Sequence, residues 1–413
     1  MSAAAASLVA LLLAIVLSCT SQINVGLIAV ALAWALGLYA QHSTEQILAG
    51  FPGPLFITLA GVTLLFSLAE ENGTIAGLAN RLVSLARGSV RLLPIIFFCI
   101  AGLLSAIGPG AIASVALVAP LAMAIGLRGG IRPFLTALMV ANGANAGNLS
   151  PLSAVGVIAN SRMAAAGLGG HEGKVFAANF LAHALVAGVA FVVLSRRSVK
   201  EGAVATRLDC PPLTPAQWLT LSIVAVWIAA VVLLRAPIGL AAFTAAVAIV
   251  LVRAADENAA VKRMPWSTIL MVCGVTMLVA AVEKSGGMDL FTTLLAKAAT
   301  ANTLNGIIAF VTGVISTYSS TSGVVLPAFL PLAPRLVEQV GGGNPLAVAL
   351  SINVGSSIVD VSPLSTLGAL CVAAVADPRI ARELFRSLLL WGLAMSLVGA
   401  LVCQLFAGAF AAL

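Results

Sequence analysis

Two stretches of small and amide residues interrupt long apolar runs in this chain. They are Asn142-Gly-Ala-Asn-Ala-Gly-Asn-Leu-Ser-Pro151 and Asn353-Val-Gly-Ser-Ser-Ile-Val-Asp-Val-Ser-Pro363. Each restarts with Ser-Pro-Leu-Ser and carries a Gly three residues later. Packing alone gives a helix in hydrocarbon no reason to break in this way. A peptide group left without its partner there costs several kcal/mol, roughly, so irregular backbone persists only where it lines a cavity or is held in protein. Two breaks at equivalent places in two halves of a chain point to the central site of a transporter.

The surroundings of the breaks fix the class. Of the 413 residues, 61% are hydrophobic and 8% charged, a balance outside the range of soluble domains. Apolar runs near the ~20 residues that span a bilayer recur throughout. No polar stretch approaches the roughly 50 residues of a small domain, which leaves no room for a soluble catalytic unit. The net charge of +7 is read as cytoplasmic loop charge rather than as a nucleic-acid surface. Six scattered cysteines without metal or redox spacing are read as small apolar fillers, and three dispersed histidines as no metal site. Residues 3–20 lack a basic leader and are expected to be a retained first helix.

In order, the patterns predict helices over 3–20, 23–40 and 54–71, then an interfacial amphipathic piece at 75–86. Residues 92–127, broken at Ser105-Ala-Ile-Gly-Pro-Gly110, have arms too short to span and are read as a re-entrant hairpin. The first organising break lies within 132–166, a helix follows at 174–195, and a polar linker occupies 196–214. The pattern then restarts: helices at 216–234, 237–253 and 266–284, an amphipathic piece at 288–299, a second split segment at 304–338, the second break within 345–376, and a last helix at 384–412.

The restart is a repeat on polar and breaker residues. Gly61-Val-Thr-Leu-Leu and Gly274-Val-Thr-Met-Leu are 213 positions apart, as are Glu70 and Glu283. At 211, Ser105 falls on Ser316, Pro120 on Pro331 and Asn142 on Asn353; after one inserted residue, Ser150 falls on Ser362. Five crossings per half invert the second half relative to the first. Ten crossings with both termini outside put 15 of the 21 Lys/Arg on the cytoplasmic side and leave Arg162, Lys174, Arg235, Lys284, Lys297 and Arg335 outside. The fold class expected is an all-α polytopic membrane protein of two inverted repeats, residues 1–195 and 215–413, each with a re-entrant hairpin and a broken helix.

Inversion brings the two hairpin tips and the two breaks together. Their side chains are Ser, Thr and Asn, with one acid, Asp360, and no Lys, Arg or His. Hydroxyls and carbonyls suit a hard cation such as Na⁺. Helix N-termini expected to be capped by Ser150 and Ser362, with Pro following, suit an anion. Asp360, an ionisable group at membrane depth, is read as functional, for a coupling cation or a proton.

These paired Ser-rich tips and paired Asn-x-Gly…Ser-Pro breaks resemble the ion transporter superfamily, which includes the divalent anion:sodium symporters. Within it the chain looks most like the MatC-type carriers of malonate and related dicarboxylates. The resemblance implies scaffold helices within 1–71 and 216–284, and transport elements within 92–166 and 304–376. It also implies an elevator motion, a homodimer formed through the scaffold, and a bacterial-type inner membrane as the setting. One sodium site would use Ser105, Gly108 and Asn142; the other Ser316, Ser319, Thr321 and Asn353, with Asp360 beside it. The small organic anion would be held by Ser105, Asn142, Asn145 and Ser150 from the first half, and by Ser320, Thr321, Asn353 and Ser362 from the second. The symporters' Ser-Asn-Thr tip signature is replaced here by Gly108-Pro-Gly110 and Ser319-Ser-Thr321.

Competing readings are a cation/proton antiporter or metalloid exporter of the same superfamily, the large membrane subunit of a binding-protein-dependent (TRAP-type) carrier, and a passive channel. Antiport is expected to need paired intramembrane acids, and only Asp360 is present. No nucleophile–base pair or metal cluster in the breaks suggests an enzyme.

Overall fold

The computed structural model describes residues 2–20, 23–84, 92–195, 212–318, 320–375 and 377–412. Ser319 lies outside them, as do Arg87, Arg91, Arg196, Arg197, Lys200 and Arg207 of the charge argument. All regular structure among the described residues is helical.

The first half runs α1 (Ala3–Thr20), α2 (Val25–Tyr39), α3 (Thr44–Leu48), α4 (Gly53–Glu71) and amphipathic α5 (Thr74–Ser84). A hairpin follows, α6 (Leu93–Ile107) and α7 (Gly110–Arg128). The broken pair is α8 (Pro133–Asn148) and α9 (Ala154–Ala165), and α10 (Glu172–Ser195) closes the half. The second half runs α11 (Pro215–Leu234), α12 (Ile238–Leu251), α13 (Glu257–Arg263), α14 (Trp266–Lys284) and α15 (Gly287–Ala296). Its hairpin is α16 (Leu304–Tyr318), a π-helical turn Thr321–Val325, α17 (Leu326–Phe329), a 3-10 turn Leu330–Leu332 and α18 (Ala333–Val340). The second broken pair is α19 (Pro345–Ser357) and α20 (Thr366–Ala373), followed by α21 (Pro378–Ala412).

Hydropathy alone did not reveal α3 and α13, which rest on polar caps. Ser43 and Gln46 form a capping box, and Asp256 Oδ1 accepts the Ala259 N–H. The last helix begins six residues before its apolar run, with Asp377 accepting the Arg379 N–H across its first turn. Its first two turns are charged and therefore silent in hydropathy. Five described helical segments are long and apolar enough to cross a membrane by themselves: Gly53–Glu71, Gly110–Leu127, Glu172–Ser195, Thr321–Val340 and Pro378–Ala412. Gly110–Leu127 corrects the reading of both arms of 92–127 as too short to span: the helix continues through Pro120 to Arg128, so the second arm has the length of a crossing. The exterior is apolar as well: Leu233, Leu234 and Leu251 are each more than three-quarters exposed, the reverse of a soluble surface.

The two halves interlock reciprocally. α2 of the first packs along α14 of the second, and α4 of the first along α12 of the second. Both crossings are glycine to glycine. A Cβ at Gly274 would overlap the Gly26 carbonyl, and one at Gly61 would overlap the Gly239 carbonyl. Small residues at both crossings let the backbones touch, and dispersion at that range holds membrane helices together. The same device joins each hairpin to its broken helix: Gly102 of α6 faces the Gly143 carbonyl of α8, and Gly313 of α16 faces the Gly355 carbonyl of α19.

These contacts correct the register of the repeat. Pro133 and Pro345 open α8 and α19, and Gly143 and Gly355 occupy the same crossing. Both pairs are 212 apart, so the inserted residue falls in the loop before α19 rather than inside it. An insertion within a packed helix would rotate everything after it by about 100°; a loop absorbs it. Asn142 is therefore level with Val354, not with Asn353. The true counterparts are Asn145 with Ser357 and Asn148 with Asp360.

Candidate functional site

The breaks are narrower than the sequence suggested. α8 is regular through Asn148 and α19 through Ser357, so Asn142, Asn145 and Asn353 stand on intact helix. Asn142 and Asn353 each turn an amide back to a carbonyl four residues earlier, Leu138 O and Ala349 O. That local bond keeps an amide residue inside a helix. The irregular backbone is 149–153 and 358–365.

The caps shift correspondingly. Ser150 and Ser362 do not cap helices; each hydroxyl accepts the N–H two residues on, Leu152 and Leu364, and turns the chain ahead of the helix. Ser153 caps α9 through Gly156 N, and Ser365 stands at the start of α20. Each also reaches back across its break: Ser153 Oγ donates to Asn148 O, and Ser365 Oγ to Asp360 O. Gly156 and Gly368 are required because a Cβ on either would overlap the Ser150 or Ser362 carbonyl.

Each hairpin tip is tethered to its own half's break. Asn148 Oδ1 accepts the Ala111 N–H at 3.0 Å, just past the first tip. Thr321 Oγ1 donates to Asp360 Oδ2 at 2.7 Å and lies against Ser316 Oγ at the second. At the first tip, Gly108 takes φ 152°, a conformation that favours glycine, and presses on the Phe66 ring of α4. Gly323 presses likewise on Met271 of α14. Between the two tethers lies a cavity of about 40 Å³ whose polar lining is Asn148, Ser320, Thr321, Ser322, Asp360 and Thr366. It has room for a few waters at roughly 10–15 Å³ each.

Of the residues expected at the site, Ser320, Thr321 and Asp360 line this cavity, and Ser316 backs Thr321. Asn142 and Asn145 instead belong to a buried network behind it. His183 of α10 bonds Asn142 Oδ1 through Nδ1 (3.0 Å) and Ser357 Oγ through Nε2 (3.3 Å). Asn179 donates to Asn145 O and accepts from Ser357 Oγ. Asn142 thus has both amide atoms engaged. Ser105 Oγ, Asn145 Oδ1 and Asn353 Oδ1 are buried oxygens with no hydrogen-bond partner. Orphaned oxygens at membrane depth suit a cation that takes oxygen ligands.

Sequence reasoning missed Asn148, Asn179 and His183. Asn148 carried a signal in its position opposite Asp360, visible once the repeat is registered at 212. Nothing in the sequence tied Asn179 or His183 to the breaks, because only packing brings α10 against α8 and α19.

Residues 1–148 match the family model described as dicarboxylate carrier protein MatC N-terminus. The matched stretch ends on Asn148, the last residue before the first break. No curated protein matches the chain. In three dimensions the chain shares the fold of the Alcanivorax borkumensis YdaH transporter, whose crystal structure was described as having an unusual topology. The likeness covers 90% of this chain and 88% of that one, with a TM-score of 0.60 and 15% identity. Both likenesses are to transport proteins rather than enzymes, and they agree with a multi-pass, membrane-embedded all-α chain.

Proposed function

We propose that this protein is a secondary carrier of small dicarboxylates, with malonate and succinate as the first candidates, driven by Na⁺. The observation that carries the reading is the pair of matched tip-to-break tethers, Asn148–Ala111 and Asp360–Thr321, closing on one cavity from two halves of the chain. The match of residues 1–148 to a dicarboxylate carrier family supports the cargo class. The orphaned oxygens of Ser105, Asn145 and Asn353 support a coupling cation.

Within this reading the interlocked helices α2, α4, α12 and α14 are the static scaffold. The hairpins and broken helices move against them as an elevator carrying the cavity. Within the same reading the protein is a homodimer formed through the scaffold and sits in a bacterial-type inner membrane. The test is uptake of labelled malonate and succinate by proteoliposomes holding this chain alone, with and without an inward Na⁺ gradient. Accumulation that follows the gradient is expected. Uptake indifferent to Na⁺ removes the coupling, and no uptake of any dicarboxylate removes the cargo.

A further inference from the structure

A second cavity, away from the central one, opens toward the bilayer. It measures about 290 Å³ and lies between α10 and α21, with α19 as its floor. Leu181 and Leu185 form one wall, Phe406 and Phe410 the other, and Leu350 and Val354 the bottom. Every lining side chain is Ala, Leu, Val, Cys or Phe, and the one thiol, of Cys403, is turned onto the Ser351 carbonyl. Such a lining offers a dicarboxylate no partner and suits hydrocarbon. The two walls are also the spans most open to lipid. Only 39% of the α10 segment and 33% of the α21 segment is buried in protein, against 50–61% for the other described spans.

The length of the groove matches one leaflet. Its lining runs from Ala178 to Leu185 on α10 and from Phe410 back to Val402 on α21. At 1.5 Å per residue these stretches are about 10 and 12 Å long, most of the ~15 Å that one leaflet contributes to the hydrocarbon core. One turn beyond the groove a charge ties the two walls. Lys174, four residues before Ala178, donates through Nζ to the carbonyl of Ala411, four residues after Ala407, at 3.1 Å. Lys174 is the third residue of α10 and Ala411 the last but one of α21, so the ammonium sits at the helix ends, level with lipid headgroups. An ammonium has three N–H donors, and this is the one bond Lys174 makes among the described residues. Glu172, two residues earlier, accepts the Gly170 N–H of the preceding loop instead, and the described ion pairs both belong to Arg335.

We propose that this groove is a binding site for one phospholipid of net negative charge, with an acyl chain between α10 and α21 and its phosphate at Lys174. The chain fills a slot that offers water no hydrogen bonds. The phosphate accepts from the Lys174 donors that Ala411 does not use, and a headgroup without an ammonium of its own brings no rival cation. Because the floor is α19, the lipid lies against the helix that ends at the second break. The site stands whatever solute the protein carries.

The experiment places the full-length protein in phosphatidylcholine vesicles containing a small share of phosphatidylglycerol with a diazirine on its acyl chain, and maps the cross-linked peptides after illumination. Cross-links are expected to concentrate on residues 178–185 and 402–410 and to be displaced by excess unlabelled phosphatidylglycerol. K174Q should cut this labelling about fivefold, the effect of one lysine on an anionic lipid, and leave labelling by a diazirine phosphatidylcholine unchanged; K174R keeps it. A182F fills the groove and should abolish labelling there, whereas L397F, on an exposed part of α21 outside the groove, should not. Label spread evenly over the lipid-facing helices, or not displaced by excess lipid, would overturn the proposal on the wild type alone, whether or not A182F folds. Labelling that K174Q leaves unchanged removes the headgroup contact and overturns it too. So do groove peptides left unlabelled in wild type, as a second copy of the chain seated there would leave them.

Discussion

The hydroxyl of Thr321 is the node of the second hairpin tip, and Thr321→Val isolates it. Valine keeps the shape and deletes only the oxygen. That oxygen donates to Asp360 Oδ2 at 2.7 Å, lies 3.2 Å from Ser356 O and touches Ser316 Oγ. A hydrogen bond to an ionised carboxyl contributes about 1.5–3 kcal/mol, and a second buried hydroxyl left unpaired adds roughly 1 kcal/mol. The tip-closed arrangement should lose about 2.5–4 kcal/mol, which at ~1.4 kcal/mol per decade is on the order of 60- to 1000-fold in population. Amide hydrogen exchange reads this directly: amides of 320–325 should exchange faster by that factor in the variant. The first tip is a built-in control, because Asn148 holds it and Thr321 does not. Unchanged exchange at 320–325, or equal loosening of both tips, would refute the tether.

Asn148→Leu should loosen the complementary tip, leaving the Ala111 N–H buried and unpaired at about 1–3 kcal/mol, with faster exchange at residues 110–112 and reduced malonate uptake as the measurements. Gly274→Val forces a side chain into the Gly26 carbonyl and should separate α14 from α2; the expected result is loss of a monodisperse peak in detergent size-exclusion chromatography, and a wild-type profile would show the crossing to be slack.

Much of this was legible beforehand, for a reason tied to particular residues. Gly108-Pro-Gly110 and the two Ser-Pro-Leu-Ser runs break helices by backbone chemistry that acts within a few residues. Hairpins and breaks could therefore be placed from local sequence, to within about two turns. The edges were misjudged where amide residues read as disruptive. Asn142 and Asn353 each return an amide N–H to a carbonyl four residues back and Asn145 donates to Ser357 O across the helix interface, so all three stand in regular helix and the unwound backbone starts after Asn148 and Ser357.

The sequence by itself determined the apolar, all-helical character of the chain, its division into two like halves, and the four interruptions. Each follows from hydropathy or from the conformational limits of Gly and Pro. Only the tertiary structure decided which side chains face one another: Asn148 on Ala111, Asp360 on Thr321, and His183 between Asn142 and Ser357. Helical periodicity tells which residues share a face, but which helix that face meets is set by glycine crossings between segments more than 200 residues apart, such as Gly26 and Gly274.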